Sequence, residues 1–260
     1  MSILVQIYEI QDPVEAETVV RLGVNRVGSV LFSAAEWKQP ALRDVNRVAR
    51  SLGATHSIIP LFNESDLLCR AVDYYEPHLL HFCEDLAGAT ALELDQLVAV
   101  QLALKARYPA LKIMRTIPVG RPGAGRSIPT ADLAAHAAPG TDVYLLDTRI
   151  DAQPVGGYVG ITGQTCDWDV ARELARDCAA PVILAGGLGP ENVCDAILKV
   201  IPTGVDSCSR TNVADAAGNP LRLRKDFEKV RKFVEEVRRA ESIPRRPSSP
   251  PVSDSSHRNG

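Results

Sequence analysis

Three things are missing from these 260 residues: a surplus of positive charge, a long apolar run and any close pair of cysteines. Each absence removes a class of protein. A net charge of -3 provides no electrostatic pull toward nucleic acid or an anionic membrane surface. Met1-Ser2 leads directly into Leu4-Val5-Gln6-Ile7 with no basic segment, and no later stretch has the length of a membrane span. This predicts neither a secretory leader nor an anchor, and a cytoplasmic location. The six cysteines (Cys69, Cys83, Cys166, Cys178, Cys194, Cys208) include no CxxC pair and read as free thiols of a reducing compartment. His78 and His81 are three apart but lie near a single cysteine, Cys83, so the spacing of a metal knuckle is lacking. No metal and no organic cofactor are expected.

What is present is an ordinary globular composition, 45% hydrophobic and 23% charged, in a chain long enough for one large domain. Short β-rich apolar runs alternate with helical patterns. The runs are 3–8, 26–32, 56–62, 79–83, 111–116, 142–147, 182–185 and 204–208. Helical spacing falls at 13–22, 42–52, 65–75, 89–108, 130–137, 169–178, 190–200 and 222–240. Eight of each predicts a single closed (β/α)8 barrel, an α/β TIM barrel, over residues 1–240. Asp12-Pro13 and Gly189-Pro190-Glu191 read as helix starts. From 241 to 260 the composition turns to Pro244-Arg245-Arg246-Pro247-Ser248-Ser249-Pro250-Pro251, which predicts a disordered tail.

In such a barrel the residues that end the strands converge on one mouth. That rule selects Tyr8, Glu9, Ser33, Asn63, His81, Cys83, Arg115, Asp147, Gly186, Gly187, Asp206, Ser209 and Arg210. Asp147 ends an apolar strand, and the glycine-punctuated loop Gly160-Ile161-Thr162-Gly163-Gln164-Thr165-Cys166-Asp167-Trp168 follows. A second strand then ends in Ala185-Gly186-Gly187-Leu188. An acid beside loops whose backbone N–H groups approach a ligand closely is a pattern for a phosphorylated, sugar-like small molecule.

These segments, taken in order, resemble the phosphoribosylanthranilate isomerase family. Leu146-Asp147-Thr148 matches its LDT strand end, Gly160 to Trp168 its GGTGxTFDW loop, and Ala185 to Val193 its AGGLxPENV segment. Val205 to Asn212 matches VDVSSGVE loosely, and Leu80-His81-Phe82-Cys83-Glu84-Asp85 matches QLHGDE. The resemblance implies an isomerase of tryptophan biosynthesis that converts an aminoaldose to an aminoketose by an Amadori rearrangement. It implies Asp147 as the general acid and a phosphate site at Gly163, Gly186, Gly187 and Ser209, with His81 and Asp206 toward the substrate. A monomer or a homodimer is expected.

Two departures stand out. The family begins KICG, its cysteine serving as base, whereas this chain reads Gln6-Ile7-Tyr8-Glu9. Tyr8 occupies the base position, but an ordinary phenol is a poor base at neutral pH, so Glu9, Tyr8 and His81 all remain candidates, with a displaced thiol beyond them. The family's SPR arginine after the second strand is also missing. Ser33-Ala34-Ala35-Glu36-Trp37-Lys38 offers Lys38 as a cation without the guanidinium fork, and Trp37 either as a stacking surface or as packing. Arg210, in place of a glycine, either strengthens anion binding or blocks it. The alternatives are an enzyme for another phosphorylated metabolite and a non-catalytic phosphosugar-binding protein.

Overall fold

A computed structural model describes residues 2–124 and 127–244. Eight parallel strands close into a barrel in chain order: β1 (Leu4–Ile7), β2 (Arg26–Leu31), β3 (Thr55–Pro60), β4 (Leu79–Phe82), β5 (Lys112–Val119), β6 (Val143–Thr148), β7 (Val182–Leu184) and β8 (Gly204–Ser207). Pairing of Leu4 with Gly204 through Ile7 with Ser207 seals the ring. The helices are α1 (Pro13–Arg21), α2 (Pro40–Ser51), α3 (Ser65–Tyr75), α4 (Ala91–Arg107), α5 (Thr130–Ala137), α6 (Trp168–Asp177), α7 (Val193–Val200) and α8 (Phe227–Ser242). No helix among the described residues is long and apolar enough to cross a membrane.

Local chemistry sets the helix starts. Asp12 accepts hydrogen bonds from the N–H groups of Val14 and Glu15 ahead of α1, with Pro13 in the first turn. Thr90 and Glu93 form a reciprocal capping box on α4, and Asp167 and Asp226 cap α6 and α8.

Three expectations are corrected. Helical spacing from Arg222 does not become helix there: an antiparallel hairpin, β9 (Asn212–Ala214) with β10 (Pro220–Lys225), lies between β8 and α8, and Asp226 starts the helix. Gly189-Pro190-Glu191 forms a turn, since Asn192 bonds back to the Gly189 N–H and α7 begins at Val193. Arg115 is not a strand end. β5 continues to Val119, and the Arg115 guanidinium pairs with Glu84 and stacks on Phe82, away from the mouth. Of the tail, 245–260 lies outside the described residues, while α8 runs to Ser242.

Alternation along each strand sorts the barrel interior from the helix-facing shell. Tyr8, Leu79, Met114, Leu145, Ile183 and Ala185 form a compact apolar group apart from the larger core. Polar side chains cross this interior in two hydrogen-bonded rows. Arg26 donates to Gln6 Oε1 (3.2 Å), and Gln6 Nε2 donates to Asp206 Oδ1 (3.0 Å). The other row runs Ser57, Tyr8, His81 and Thr116, each contact 2.7 Å. Buried polar groups are stable only when partnered, and within each row the neighbours partner one another. Gly28 makes the Tyr8 ring fit: a Cβ at that position would lie 2.2 Å from it.

Candidate active site

Two adjoining cavities open at the C-terminal ends of the strands and share Asp147, Ile161, Asp206 and Cys208 as their common wall. The larger, about 610 Å³, is an apolar lobe whose walls include Val30, Ile59, Leu61 and Val159. The smaller, about 290 Å³, is polar and lined by the loops after β6, β7 and β8. Together they have the size of a small-molecule site.

The polar lobe is shaped by glycine. Gly163, Gly186 and Gly187 have φ of 65°, 84° and 53°, the left-handed region that side chains disfavour. At Gly187 a Cβ would lie 2.6 Å from the Gln164 carbonyl carbon, and at Gly186 one would lie 2.3 Å from Thr148 Oγ1. The two loops therefore pack backbone against backbone, and Thr148 Oγ1 holds the first of them to the end of β6 by donating to Gln164 O (2.6 Å). Ser209 opens a single 3-10 turn on the third side. Arg210 donates from Nε to Gly163 O (3.2 Å) and from Nη1 to Glu191 (3.0 Å), which ties two loops together at the rim and leaves the lobe open.

The shared wall carries two carboxylates. Asp147 ends β6, accepts from the Thr148 N–H (2.7 Å), and is pushed up to about 6 by burial. Asp206 on β8 is pushed up to about 7, first by burial and further by the Asp147 charge, against the Gln6 hydrogen bond that lowers it. Only one oxygen of Asp206 is held by Gln6. Two interacting acids raised to about 6 and about 7 titrate close to neutral pH.

The other sequence candidates fall around this pair. Tyr8 points into the mouth, but burial holds its phenol protonated well above the ordinary value, against the Ser57 hydrogen bond. His81 sits between Tyr8 and Thr116, and burial pushes it down to about 3, aided by the Arg115 and Arg26 charges, so it is neutral. Glu9 has a φ of 62° at the position of the KICG glycine. Burial would raise its value, but Arg222 (2.6 Å) with Lys225 and the Leu223 N–H outweigh that and hold it below the usual range. Lys38 is not in either cavity; its ammonium lies 5.0 Å from the Tyr74 ring. Trp37 packs edge-on against the same Tyr74. The Cys83 and Cys208 thiols line the mouth and are held protonated by burial.

Arg222 is the residue that sequence reasoning did not select. It lines the apolar lobe from β10, and its guanidinium lies 5.5 Å from the Phe32 ring. The loop after β6 supplies a further wall. Tyr158 bridges to Glu84, and the Val159 N–H donates to Cys83 O (2.8 Å), which places both beside the end of β4.

A family model described as N-(5'-phosphoribosyl)anthranilate (PRA) isomerase matches residues 124–236. An N-(5'-phosphoribosyl)anthranilate isomerase of Methanosarcina acetivorans is 29% identical over 239 residues, covering 90% of this chain and 92% of its own. The isomerase of Xanthomonas campestris pv. campestris is 30% identical over 224 residues, covering 85% and 86%. Among solved structures, phosphoribosyl anthranilate isomerase from Thermotoga maritima superposes with a TM-score of 0.65 at 21% identity, covering 91% of this chain and 98% of that one.

Proposed function

Because this chain belongs to the N-(5'-phosphoribosyl)anthranilate isomerase family, we propose that its barrel mouth performs the Amadori rearrangement of that substrate, with Asp147 as acid and Asp206 as base. The observation that carries the reading is the pair of buried carboxylates between a glycine-lined polar lobe and an apolar one, and the acid role of Asp147 within the pair is the one the family resemblance implies.

The substrate's phosphate meets the backbone N–H groups around Gly163, Gly186, Gly187 and Ser209. That anchoring sets the ribose across the shared wall. Asp147 gives its proton to the furanose oxygen as the C1'–O bond breaks, and the anthranilate nitrogen lone pair forms the C=N bond. Asp206 takes the proton from C2', which leaves an enolamine. Tautomerisation to the 2'-ketone returns a proton to C1', so the product is an isomer of the substrate. A base with a value near 7 is matched to neutral pH, whereas the Tyr8 phenol stays protonated there and the Glu9 carboxylate is too weak a base and already paired. Tyr8 and His81 serve instead as the floor of the site.

This reading assigns the chain to tryptophan biosynthesis and, with it, to the cytoplasm. It takes a small phosphorylated ligand in place of nucleic acid or membrane. A family structure holds reduced 1-(o-carboxyphenylamino)-1-deoxyribulose 5-phosphate, and the Thermotoga maritima protein is described as dimeric. The site here is assembled from one chain, so a monomer and a homodimer serve it equally.

The test is turnover of phosphoribosylanthranilate, generated in place by the preceding enzyme and followed by anthranilate-type fluorescence. Asp147→Asn and Asp206→Asn are each expected to lower kcat by about 10²- to 10⁴-fold without loss of fold, and Tyr8→Phe to retain most activity. A Tyr8→Phe loss as deep as that of Asp206→Asn would return the base role to Tyr8. Phosphate binding without turnover in the wild type would favour another phosphorylated metabolite.

A further inference from the structure

The isomerase reading, on which this inference rests, leaves one end of the substrate without a partner. N-(5'-phosphoribosyl)anthranilate has a phosphate at one end and an aromatic carboxylate at the other. With the phosphate at the glycine loops, the aminobenzoate ring falls in the apolar lobe, against Val30, Ile59 and Leu61. A carboxylate brought into such a lobe requires a cation or a fork of donors. Among the described residues lining it, Arg222 is the one lysine or arginine.

We infer that Arg222, delivered by the β9–β10 hairpin, binds the substrate's aromatic carboxylate and sets specificity for it, with Glu9 as a positioning residue. The guanidinium is already oriented. Its Nε and Nη2 lie 2.8 and 2.6 Å from Glu9 Oε1, and Phe32 lies beneath its plane. Nη1 is left over, and the side chain is 47% exposed, so an incoming carboxylate has both a donor and access. The Glu9 carboxylate, carried on a left-handed backbone, is itself held by Asn212 Nδ2 (3.4 Å) and the Leu223 N–H (3.3 Å), both from the hairpin. Lys225 adds a second positive charge acting on Glu9, so the Glu9 charge is matched before the substrate arrives. Its Nζ is held at the foot of the hairpin by Asn212 Oδ1 and Cys208 O. A surface arginine held only for stability would not need a strained, buried glutamate as its partner.

Binding is the readout, because it separates this proposal from the isomerase reading. Two probes are compared by calorimetry: reduced 1-(o-carboxyphenylamino)-1-deoxyribulose 5-phosphate, and its counterpart that lacks the ring carboxylate. The wild type is expected to prefer the carboxylated probe by about 10- to 100-fold. In the double variant Glu9→Gln with Arg222→Met the preference is expected to fall to near one, while affinity for inorganic phosphate is unchanged. Arg222→Lys should keep an intermediate preference, since it retains charge without the fork. If the double variant does not fold, Arg222→Gln, whose amide keeps a hydrogen bond to Glu9, tests the same loss. A full preference retained in folded Glu9→Gln with Arg222→Met or in folded Arg222→Gln, or none in the wild type, overturns the assignment. Turnover of phosphoribosylanthranilate by the wild type tests the isomerase reading separately.

Discussion

Buried carboxylates such as Asp206 hold their proton more firmly in the folded chain than in the unfolded one, and stability must therefore depend on pH. Asp147 and Asp206 are raised to about 6 and about 7 by burial, so between pH 4 and 7 the folded state binds more protons than the unfolded state. Their contribution is fully present below the unfolded carboxylate value and is lost as pH rises through 6 and 7. Glu9, held low by Arg222, behaves oppositely and loses its contribution as pH falls through its folded value. Asp206→Asn is expected to leave the Tm near that of the wild type at pH 4 and to raise it at pH 8, by on the order of 1–4 kcal/mol of stability. Thermal melts at both pH values check this, and an equal difference at both would contradict it. The raised values were not legible in the sequence. Asp147 and Asp206 are far apart in the chain, and only the ring of strands brings them to one wall. The tyrosine at position 8 was legible, but the close packing of its ring on Gly28 was not.

At the scale of elements, the β9–β10 hairpin is the feature that periodicity misplaced. Leu221 to Arg224 alternates apolar and charged residues just ahead of a strongly amphipathic helix, and charge on one flank extends a helical pattern as readily as it marks an edge strand. A two-stranded ribbon has little stability of its own, so its existence depends on anchors elsewhere in the chain. Those anchors are Glu9 on Arg222, Cys208 O accepting from Lys225 Nζ (3.0 Å), and the Asp226 N–H bonded to Thr211 O (2.9 Å). The Glu9–Arg222 pair is asymmetric: the glutamate side chain is 2% exposed and the arginine 47%. Arg222→Ala, which takes the closest cation from the buried Glu9 carboxylate, is expected to cost about 3–5 kcal/mol at neutral pH. Glu9→Ala should cost about 1–2 kcal/mol, because the guanidinium regains water and the left-handed strain at position 9 remains mild for alanine. Urea denaturation of the two variants measures the difference, and equal losses would show that the pair is not desolvated on one side only. By contrast, the glycine loops were read correctly as elements. Positive φ and close backbone approach demand glycine itself, and that demand is written in the residue type.

The whole molecule is a ring whose ends must meet, with α8 fastening the junction. Ile3 N donates to Glu241 Oε1 (2.5 Å) and Arg238 to Ile3 O (3.1 Å), so the first strand and last helix are joined directly. α8 also buries Val230, Phe233, Val234, Val237 and Ala240. Deleting residues 233–260 removes four of these, at about 2–5 kcal/mol for the largest, against a total stability of roughly 5–15 kcal/mol. The truncated chain is expected to show no cooperative thermal transition and no near-ultraviolet circular dichroism. A sharp transition at the wild-type Tm would show that α8 is dispensable.

By itself the sequence determined the barrel, its eight strands and the two glycine loops, because these rest on short-range periodicity and on backbone conformations that few residues tolerate. It also marked Asp147, since a carboxylate ending an apolar strand has few places to go. Only the tertiary structure decided that Lys38 stands outside the mouth and Arg222 within it, and that Tyr8 is held neutral while Asp206 is held near neutrality. Burial and the charges of distant segments determine those properties, and both arise only when the strands close into a ring.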